Sequence, residues 1–435
     1  MRICVFGLWH LGSVTAACLA RGGHAVVGLD HDPQVIAGLR CGEPPLFEPG
    51  LKELVAAGLS SGRLRFETDS ARAVADAELV WVTFDTPVNE EDVPLLSAVF
   101  DPVAALFNLL PDRCLVFVSS QVPVGTTRRL AGVAVDLGRS DLTFGYSPEN
   151  LRLGKAIEVF TRPDRVVVGL QSQDDRGKVE YMLAPFSTNI VWMGLEAAEM
   201  TKHAINAFLA TSVTFMNEIA AICEHVGVDA KEVERGLKSE QRIGPGAYLS
   251  PGGAFSGGTL ARDITTLIDL GRDRGVPVTL VSAVRDSNAR HRSWALRKLK
   301  ERLGSLAGRR VALLGLTYKP GTDTLRRSAA VELALALRAE GATVIAFDPV
   351  VRALPDYLAG QIELAVTPAT ALDRADAVVL ATQWPEFRDL PWTELVRAMA
   401  SPTIVDANWF LAPALRDRPG TAYAAVGLPW SHPPL

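Results

Sequence analysis

Short apolar segments rich in β-branched residues recur along this chain, and stretches with helical periodicity separate them. The first segment lies at residues 2–8, and others lie at 24–30, 79–84, 114–120 and 165–170. Strands that are apolar along their whole length are buried on both faces, as in parallel sheets that helices cover on both sides. The alternation therefore predicts an α/β fold with a doubly wound parallel sheet.

The pattern changes after residue 194. No glycine or proline interrupts the segment between Leu195 and Cys223, so this segment predicts one long helix. Helical periodicity continues to about Leu306, and strand-like segments return at residues 309–320. We therefore predict two Rossmann-like doubly wound domains joined by a long central helix. The predicted domains are residues 1–194, 195–306 and 307–435.

Composition excludes several classes of function. The formal net charge is -5, with both signs mixed along the chain, which does not favour nucleic-acid binding. The five cysteines form no CxxC pair, so we expect neither a metal site nor a disulfide framework, and we expect a reducing cytoplasm. No cationic leader precedes a long apolar run, and no eighteen apolar residues stand together. We therefore expect neither a signal peptide nor a membrane partner.

The segment GLWHLG at residues 7–12 follows the first strand and opens a helix. This is the setting of a dinucleotide fingerprint, with the pyrophosphate at the helix N-terminus and Asp30 on the adenosine ribose. An acid there favours NAD over NADP. Trp9 replaces the second glycine, so it must turn away from the phosphates or force a shifted pose. By itself the segment also fits a βαβ unit whose glycines only make a tight turn.

Further motifs follow in a fixed order along nearly the whole chain. They are FEPGL (47–51), VPVGTT (122–127), SPENLRLG (147–154), RPDRVVVG (162–169), EMTKHAINAFLATSVTFMNEIA (199–220), QRIGP (241–245), GLTYKPGTDTLRRS (315–328) and TQWPEF (382–387). Together with GLWHLG they resemble the nucleotide-sugar dehydrogenases, the family of UDP-glucose, GDP-mannose and UDP-N-acetylmannosamine 6-dehydrogenases. The resemblance implies NAD as cofactor, a nucleotide-diphosphate sugar as substrate and a homodimer formed through the central helix.

That family oxidises the C6 alcohol of the sugar to a carboxylate in two hydride transfers. A cysteine attacks the intermediate aldehyde, and the thioester formed by the second transfer is hydrolysed. In the stretch SGGTLARD, residues 256–263, the family's cysteine falls on Thr259, its lysine on Arg262 and its aspartate on Asp263. A threonine hydroxyl is a far weaker nucleophile than a thiol at neutral pH.

The resemblance implies a catalytic set around the reacting carbon. Lys202 would stabilise charge on the sugar oxygen or relay its proton, and Asn206 and Asp263 would hold the water or hydroxyl. Glu149 would lie near that water, and Gln121 replaces a threonine that sits beside the reacting centre in relatives. The catalytic candidates are Lys202, Asn206, Asp263, Glu149, Thr259 and Gln121.

The residues by themselves leave other interpretations open. Lys202 and Asn206 are four apart on one helix face, which also fits a solvated face. Glu149 fits an acid at a helix N-terminus, and Lys319 and Arg326 fit surface charge.

The resemblance also implies the binding residues. The cofactor candidates are Gly7, Trp9, His10, Leu11, Gly12, Asp30, Thr86, Ser120, Arg262 and Arg326. The substrate candidates are Asn150, Leu151, Arg152, Arg242, Tyr248, Leu249, Gly257 and Lys319. Lys319 would bind the substrate diphosphate, and Arg242 would reach the substrate of the neighbouring subunit.

Two segments depart from the family's pattern. Residues 150–154 differ from its Phe-Leu-x-Glu-Gly, and Asp406-Ala407-Asn408 stands where many relatives have Asp-Gly-Arg. Both departures predict an altered substrate, and the second predicts the loss of a sugar-contacting arginine.

The replacement of cysteine by Thr259 predicts a single two-electron oxidation, because only the second transfer needs the thiol. The simplest such substrate is a secondary alcohol, which gives a ketone, as at C6 of a nucleotide-activated octose in lincosamide antibiotic biosynthesis. Epimerisation or dehydration after a transient oxidation is a variant of this reading. Two alternatives remain: a four-electron 6-dehydrogenase with a displaced nucleophile, and a non-catalytic pseudoenzyme.

Overall fold

The computed structural model describes residues 1–87, 95–149, 151–256 and 258–431. Within it the chain divides into two compact units, residues 1–205 and 206–435. The division falls inside the longest helix. Two of the predicted substrate residues, Asn150 and Gly257, lie outside the described residues.

The described strands are short, and most are buried along their length. They are β1 Arg2–Phe6, β2 Ala25–Leu29, β3 Leu64–Glu67, β4 Leu79–Val82, β5 Leu115–Val118, β6 Thr143–Tyr146, β7 Val166–Leu170, β8 Ile190–Met193, β9 Arg310–Leu314, β10 Thr343–Phe347, β11 Glu363–Leu364, β12 Ala377–Leu380, β13 Thr403–Val405 and β14 Ala422–Ala424.

The described helices differ widely in length. They are α1 His10–Arg21, α2 Pro33–Arg40, α3 Leu51–Ser60, α4 Ser70–Val74, α5 Ser97–Leu106, α6 Thr126–Asp136, α7 Ala156–Thr161, α8 Arg176–Leu183, α9 Leu195–Val226, α10 Ala230–Ser239, α11 Thr259–Asp273, α12 Thr279–Arg292, α13 Trp294–Leu303, α14 Ala329–Ala339, α15 Pro368–Leu372, α16 Trp392–Ala398 and α17 Ala412–Leu415.

The first unit is built on an eight-stranded sheet in the order β3-β2-β1-β4-β5-β6-β7-β8. The strand order reverses between β1 and β4, and the carboxyl ends of strands at such a point form the usual ligand crevice of doubly wound sheets. Every pair is parallel except β6 with β7, which is antiparallel. The connection at residues 147–165 returns to the same edge of the sheet without crossing to the other. The predicted α/β class is confirmed, with this one pair as a departure.

The second unit contains a six-stranded sheet in the order β11-β10-β9-β12-β13-β14, in which all pairs are parallel. Its strand order reverses between β9 and β12. Apolar clusters cover both faces of this sheet, one led by Val311 and Leu313 and the other by Ala312 and Leu314. Successive residues of β9 therefore belong alternately to the two clusters, as expected for a strand buried on both faces.

The two units begin their sheets with the same turn. Gly7 and Gly315 follow β1 and β9 with φ of 93° and 94°, in the left-handed region that glycine tolerates best. Gly7 N donates to Leu29 O at 2.9 Å, and Gly315 N donates to Phe347 O at 2.8 Å. The two turns share this glycine and its hydrogen bond but differ in length, because α1 begins three residues after Gly7 and α14 begins fourteen residues after Gly315.

Helix α9 runs from Leu195 to Val226, as the long uninterrupted segment predicts. Among the described helices it is the one long and apolar enough to cross a membrane by length and composition alone. The core helix of a soluble protein passes the same test.

Candidate active site

The turn at residues 7–12 leaves no room for larger side chains at its glycines. A Cβ on Gly12 would lie 1.8 Å from Gly7 O, so α1 packs directly against the turn. No side chain caps the N-terminus of α1. The first N–H groups of a helix lack intrahelical partners, so an uncapped N-terminus of this kind is suited to an anion.

Trp9 stands at the N-cap of α1 with φ of -70°, a backbone conformation that does not need glycine. Its side chain is 47% exposed. The position of the fingerprint's second glycine therefore accepts tryptophan without backbone strain. The indole is held at the surface of the unit and not in its core.

Asp30 follows β2 and faces the turn. Its Oδ2 accepts from Leu8 N at 2.7 Å, and its Oδ1 accepts from Asp32 N at 2.9 Å. The corresponding Asp348 of the second unit is 1% exposed and also accepts from Trp384 Nε1 at 3.1 Å. Asp30 stays partly exposed and keeps lone pairs for ribose hydroxyls, whereas Asp348 is enclosed by protein donors.

The carboxyl ends of β4 and β5 bring further candidates to the same edge of the sheet as Gly7. Thr86 Oγ1 donates to Gln121 O at 2.6 Å. Ser120 is fully buried, and its Oγ has no hydrogen-bond partner among the described residues. The uncapped helix, Asp30 and this orphaned hydroxyl all fit NAD, which supplies a hydride acceptor when bound.

Lys202 and Glu149, two of the catalytic candidates, lie together in the first unit. Lys202 is 6% exposed, and its Nζ donates to Glu149 O at 2.6 Å and lies 3.6 Å from Glu149 Oε1. Glu149 Oε2 accepts from Leu151 N at 2.9 Å. Glu149 lies in the loop between β6 and α7, so the alternative of a helix N-terminal acid is wrong. The solvated-face alternative is also wrong for Lys202. Arg152 of this loop is exposed.

Glu48 is a residue of this site to which the sequence assigned no role, although its motif FEPGL was recognised. Its buried carboxylate lies 2.9 Å from His10 Nε2 and accepts from Gly154 N and Ala156 N, each at 2.8 Å. Burial raises the pKa of Glu48, but the hydrogen bonds from Gly154, His10 and Ala156 together lower it below its usual range. One carboxylate thus connects the first residue of α1 to the loop that carries Glu149.

Asn206 and Asp263, two further catalytic candidates, lie together in the second unit. Asn206 Nδ2 donates to Asp263 Oδ2, and the two side chains are 7% and 0% exposed. Asn206 is therefore not on a solvated face either. Thr259 is the first residue of α11 and is exposed, one turn before Asp263. Arg262 lies between them and is partly buried.

Four side chains hold the loop that leads to Thr259. Asn217 Oδ1 accepts from Gly252 N at 3.0 Å, and His291 Nε2 lies 2.9 Å from Gly252 O. Asn288 accepts from Phe255 N at 3.0 Å and donates to Phe255 O at 2.9 Å. Burial lowers the pKa of His291, which favours the neutral ring. The loop is thereby fixed from α9 and α12.

Asn408 is the fourth side chain that holds this loop, and its Oδ1 accepts from Gly253 N at 2.7 Å. A Cβ on Gly252 would lie 2.5 Å from the same oxygen. The residue that stands in place of an arginine therefore has a positioning contact of its own.

The remaining substrate candidates are mostly at the surface. The substrate candidates Lys319 and Tyr248 are exposed, as is the cofactor candidate Arg326, and the exposed Arg242 pairs with Glu240 at 2.9 Å. Leu249 is a correction: its side chain is 7% exposed and packs in the core of the second unit. Only the backbone of Leu249 is left to meet a substrate.

Four of the five cysteines are buried, which does not favour a nucleophilic thiol. Burial raises the pKa of Cys18 and of Cys114 to about 12, and it raises the pKa of Cys4 and Cys223. Cys41 is exposed at the C-terminal end of α2. Because α2 leaves the carboxyl edge of the sheet after β2, that end lies at the opposite edge.

Comparisons with known proteins match the whole chain. The UDP-glucose/GDP-mannose dehydrogenase family matches with its NAD binding domain at residues 1–187, its central domain at 196–290 and its UDP binding domain at 312–413. The UDP-glucose 6-dehydrogenase of Pseudomonas aeruginosa is 36% identical over 99% of this chain and 98% of its own. That of Rhizobium meliloti is 35% identical over 99% and 100%.

A solved structure agrees. The UDP-glucose dehydrogenase of the hyperthermophilic archaeon Pyrobaculum islandicum is 31% identical, with a TM-score of 0.85 over 98% of each chain.

Proposed function

Because the chain belongs to the UDP-glucose/GDP-mannose dehydrogenase family, we propose that this NAD-dependent nucleotide-sugar dehydrogenase removes a single hydride, from a secondary alcohol. The alcohol R₂CHOH releases its hydroxyl proton to water and passes a hydride from carbon to NAD⁺, which becomes NADH. The product is the ketone R₂C=O. A ketone carries no second hydrogen on the oxidised carbon, so no thiol is needed for a further step.

The observation that carries this proposal is Thr259. By the resemblance, Thr259 falls where the family carries its cysteine; it is exposed at the start of α11, and no hydrogen bond from it to a base is seen within the described ranges. An unactivated hydroxyl is a poor nucleophile toward an aldehyde. Of the candidates proposed for the first oxidation, in contrast, Lys202, Asn206 and Asp263 are buried and Glu149 is partly buried.

Lys202 is the group that we propose to act on the alcohol. Its ammonium lies beside Glu149, which holds its position. A cation at this place stabilises the alkoxide as the proton leaves. Asn206, which donates a hydrogen bond to Asp263, orients the hydroxyl or water that takes part in the reaction. Gln121 remains a candidate for contact with the substrate.

For the substrate, we propose a nucleotide-activated sugar extended beyond C6, such as a GDP-octose of lincosamide antibiotic biosynthesis. Because the carbon chain of such a sugar continues beyond C6, its C6 alcohol is secondary. Asn408, which the resemblance places where many relatives carry an arginine, bonds Gly253 N and offers no cation to the sugar. Lys319 would bind the diphosphate.

Two other functions stand against this proposal. The overall identity to proteins named UDP-glucose 6-dehydrogenase favours four-electron oxidation to a uronic acid. Trp9 and Thr259 favour a non-catalytic protein. A non-catalytic protein is disfavoured by two polar pairs, Lys202 with Glu149 and Asn206 with Asp263. Burying polar side chains without a function costs stability.

Product mass and NADH yield test the proposal. Purified protein is incubated with NAD and a panel of UDP-, GDP- and dTDP-sugars that includes an octose. One NADH per sugar with loss of two hydrogens supports it, whereas two NADH and a carboxylate contradict it. Absence of both turnover and NAD binding favours the pseudoenzyme.

The Thr259→Cys variant is the matched control for this assay. With a primary-alcohol sugar, the restored thiol permits a second hydride transfer and raises the yield toward two NADH. With a secondary alcohol the yield stays at one. A yield of two from unaltered protein on a hexose would contradict the argument from Thr259.

We also propose that the protein is a homodimer formed through α9. Large apolar side chains are exposed at seven-residue spacing along this helix, at Phe208, Phe215 and Ile222. Seven residues are close to two helical turns, so the three side chains form one stripe. Arg242 would then reach the neighbouring subunit's substrate.

Two further points belong to this proposal. The chain has three functional domains, residues 1–194, 195–306 and 307–435, close to the ranges of the family's domains. It resides in the cytoplasm, since its five cysteines are all free thiols and a reducing compartment keeps thiols in this form.

A further inference from the structure

The cofactor turn of the first unit carries an exposed tryptophan. Trp9 is 47% exposed, whereas all other tryptophans of the chain are buried or half-buried. Most of them also donate their indole N–H to an acceptor, but no such hydrogen bond is seen for Trp9 among the described residues. The indole nitrogen only donates. A free donor and a large apolar surface are therefore available beside the turn.

Two further apolar side chains are exposed nearby, Phe47 at 84% and Leu153 at 48%. Each of the three apolar residues is followed in the chain by a residue that meets the others at one oxygen atom, Glu48 Oε2. This oxygen lies 2.9 Å from His10 Nε2 and accepts from Gly154 N at 2.8 Å. Because consecutive Cα atoms are about 3.8 Å apart, the three side chains start from backbone positions around one point. We call Trp9, Phe47 and Leu153 the turn rim.

The position of the turn rim indicates what covers it. Exposed apolar side chains that cluster mark sites of contact. Beside the rim lies the N-terminus of α1, which no side chain caps, and Asp30 accepts from Leu8 N of the same turn. These groups suit the pyrophosphate and the adenosine ribose of a dinucleotide. The rim is thus continuous with the NAD site, and the dinucleotide is the molecule that would cover it.

We propose that the Trp9 indole covers the pyrophosphate of bound NAD and donates its Nε1–H to a phosphate oxygen, and that Phe47 and Leu153 exclude water from this contact. A hydrogen bond to a charged phosphate is stronger than one between neutral groups. The phosphates then meet the indole where a glycine would let them approach the backbone, so the dinucleotide binds in a shifted pose. This role rests on NAD as the cofactor and not on which alcohol is oxidised.

Restoring the glycine of the fingerprint is the most direct test. Glycine also adopts the φ of -70° found at this position, so Trp9→Gly recovers the usual dinucleotide turn. If the tryptophan only obstructs the phosphates, NAD binding tightens in this variant. We expect the opposite, a weakening of about tenfold, which corresponds to about 1.4 kcal/mol. Isothermal titration of the full-length protein with NAD measures the change, and equal or tighter binding in Trp9→Gly would overturn the proposal. No sugar is present, so the result does not depend on the proposed oxidation.

Three further variants separate the contributions. Tyr181→Ala removes another exposed aromatic side chain of the same unit, at 63% exposure, and should bind NAD as wild type; a loss equal to that of Trp9→Gly would overturn the assignment. Trp9→Phe keeps an aromatic ring without the N–H, so its affinity should lie between those of Trp9→Gly and wild type. Wild-type affinity in Trp9→Phe would overturn the hydrogen bond. Phe47→Ala should weaken binding less than Trp9→Gly does, and wild-type affinity there would overturn the role of the rim.

ADP-ribose, which has the pyrophosphate but no nicotinamide, locates the contact. Trp9→Gly is expected to weaken the binding of ADP-ribose and of NAD by the same factor, because both ligands carry the phosphates. A loss confined to NAD would place the indole on the nicotinamide half of the cofactor and overturn the assignment.

Fluorescence of Trp9 reports the contact without any reaction. The difference between wild-type and Trp9→Phe emission isolates this exposed indole, and acrylamide quenches exposed indoles. Saturation with ADP-ribose is expected to reduce the quenching of the difference signal, and unchanged quenching would overturn the proposal. Quenching that falls as the protein concentration rises, with no ADP-ribose present, would show that a second copy of the chain covers the rim and would also overturn it.

Discussion

At the scale of single residues, Lys202 carries the clearest expectation. Lys202→Ala removes the cation that stabilises the alkoxide, and a preorganised electrostatic group of this kind contributes about 10²–10³-fold to rate. We expect kcat to fall by a factor in this range while NAD affinity, set by the turn at residues 7–12, stays the same. Steady-state kinetics and NAD titration measure the two effects. Lys300→Ala, an exposed pair with Glu340, is the control, and an equal loss there would refute the role.

Glu48 gives a second residue-scale prediction, with a pH dependence. Glu48→Gln places an amide against three donors, so we expect a loss of about 1–3 kcal/mol in unfolding free energy. KM for NAD should also rise, because His10 and the Glu149 loop lose their common anchor. Glu43→Gln, exposed and 3.9 Å from Lys52, should match wild type.

The pH dependence of Glu48 follows from its lowered pKa. A carboxyl group with a lower pKa in the folded than in the unfolded chain stabilises the fold above its unfolded pKa of about 4.3. This stability is lost as the pH falls through the folded pKa. Thermal melts from pH 7 downward should therefore show the wild-type advantage over Glu48→Gln shrinking in acid. A constant difference across this range would contradict the assignment.

At the scale of elements, the loop at residues 252–255 is predicted to be set by side chains of other elements. Asn288→Asp keeps the acceptor for Phe255 N but turns the donor to Phe255 O into a charged acceptor. We expect KM for the nucleotide sugar to rise several-fold while KM for NAD stays unchanged. Asp286→Asn on the same helix, at its exposed surface, is the matched control. Equal effects on both KM values would indicate general destabilisation.

The elements also show what a sequence reveals and what it conceals. The long helix and the apolar strands were predictable because their patterns are local. Strands β3 and β6 were not predicted, because their sequences LRFE and TFGY are not apolar along their length, unlike the equally short β4 and β5. The role of Glu48 was hidden because two of its donors are 106 and 108 residues away. The buried state of Lys202 came from packing, which helical spacing alone leaves open.

At the scale of the whole molecule, the two units have a similar glycine turn after their first strand but differ in the exposure of the aspartate beside it. Asp30 is partly exposed, whereas Asp348 is enclosed by protein donors such as Trp384. On our proposal that Asp30 binds the adenosine ribose, we expect the dinucleotide to bind the first unit and not the second.

The proposed dimer is tested by changing its stripe. Phe215→Asp puts a charge on the exposed row of α9, and burial of an unpaired charge at an interface is costly. We expect monomers by light scattering, with secondary structure retained. Val366→Asp, at a side chain 86% exposed in the second unit, is the control and should keep the wild-type mass. A dimer of unaltered stability in Phe215→Asp would place the interface elsewhere.

Mixing inactive variants tests whether Arg242 serves the neighbouring subunit. Arg242→Ala and Lys202→Ala are each expected to be strongly impaired as homodimers. When they are co-expressed, half of the dimers are mixed, and each mixed dimer has one site with an intact Lys202 and the partner's intact Arg242. Random pairing therefore predicts recovery of about a quarter of wild-type activity. If Arg242 acts within its own subunit, every site lacks one of the two residues and no activity returns.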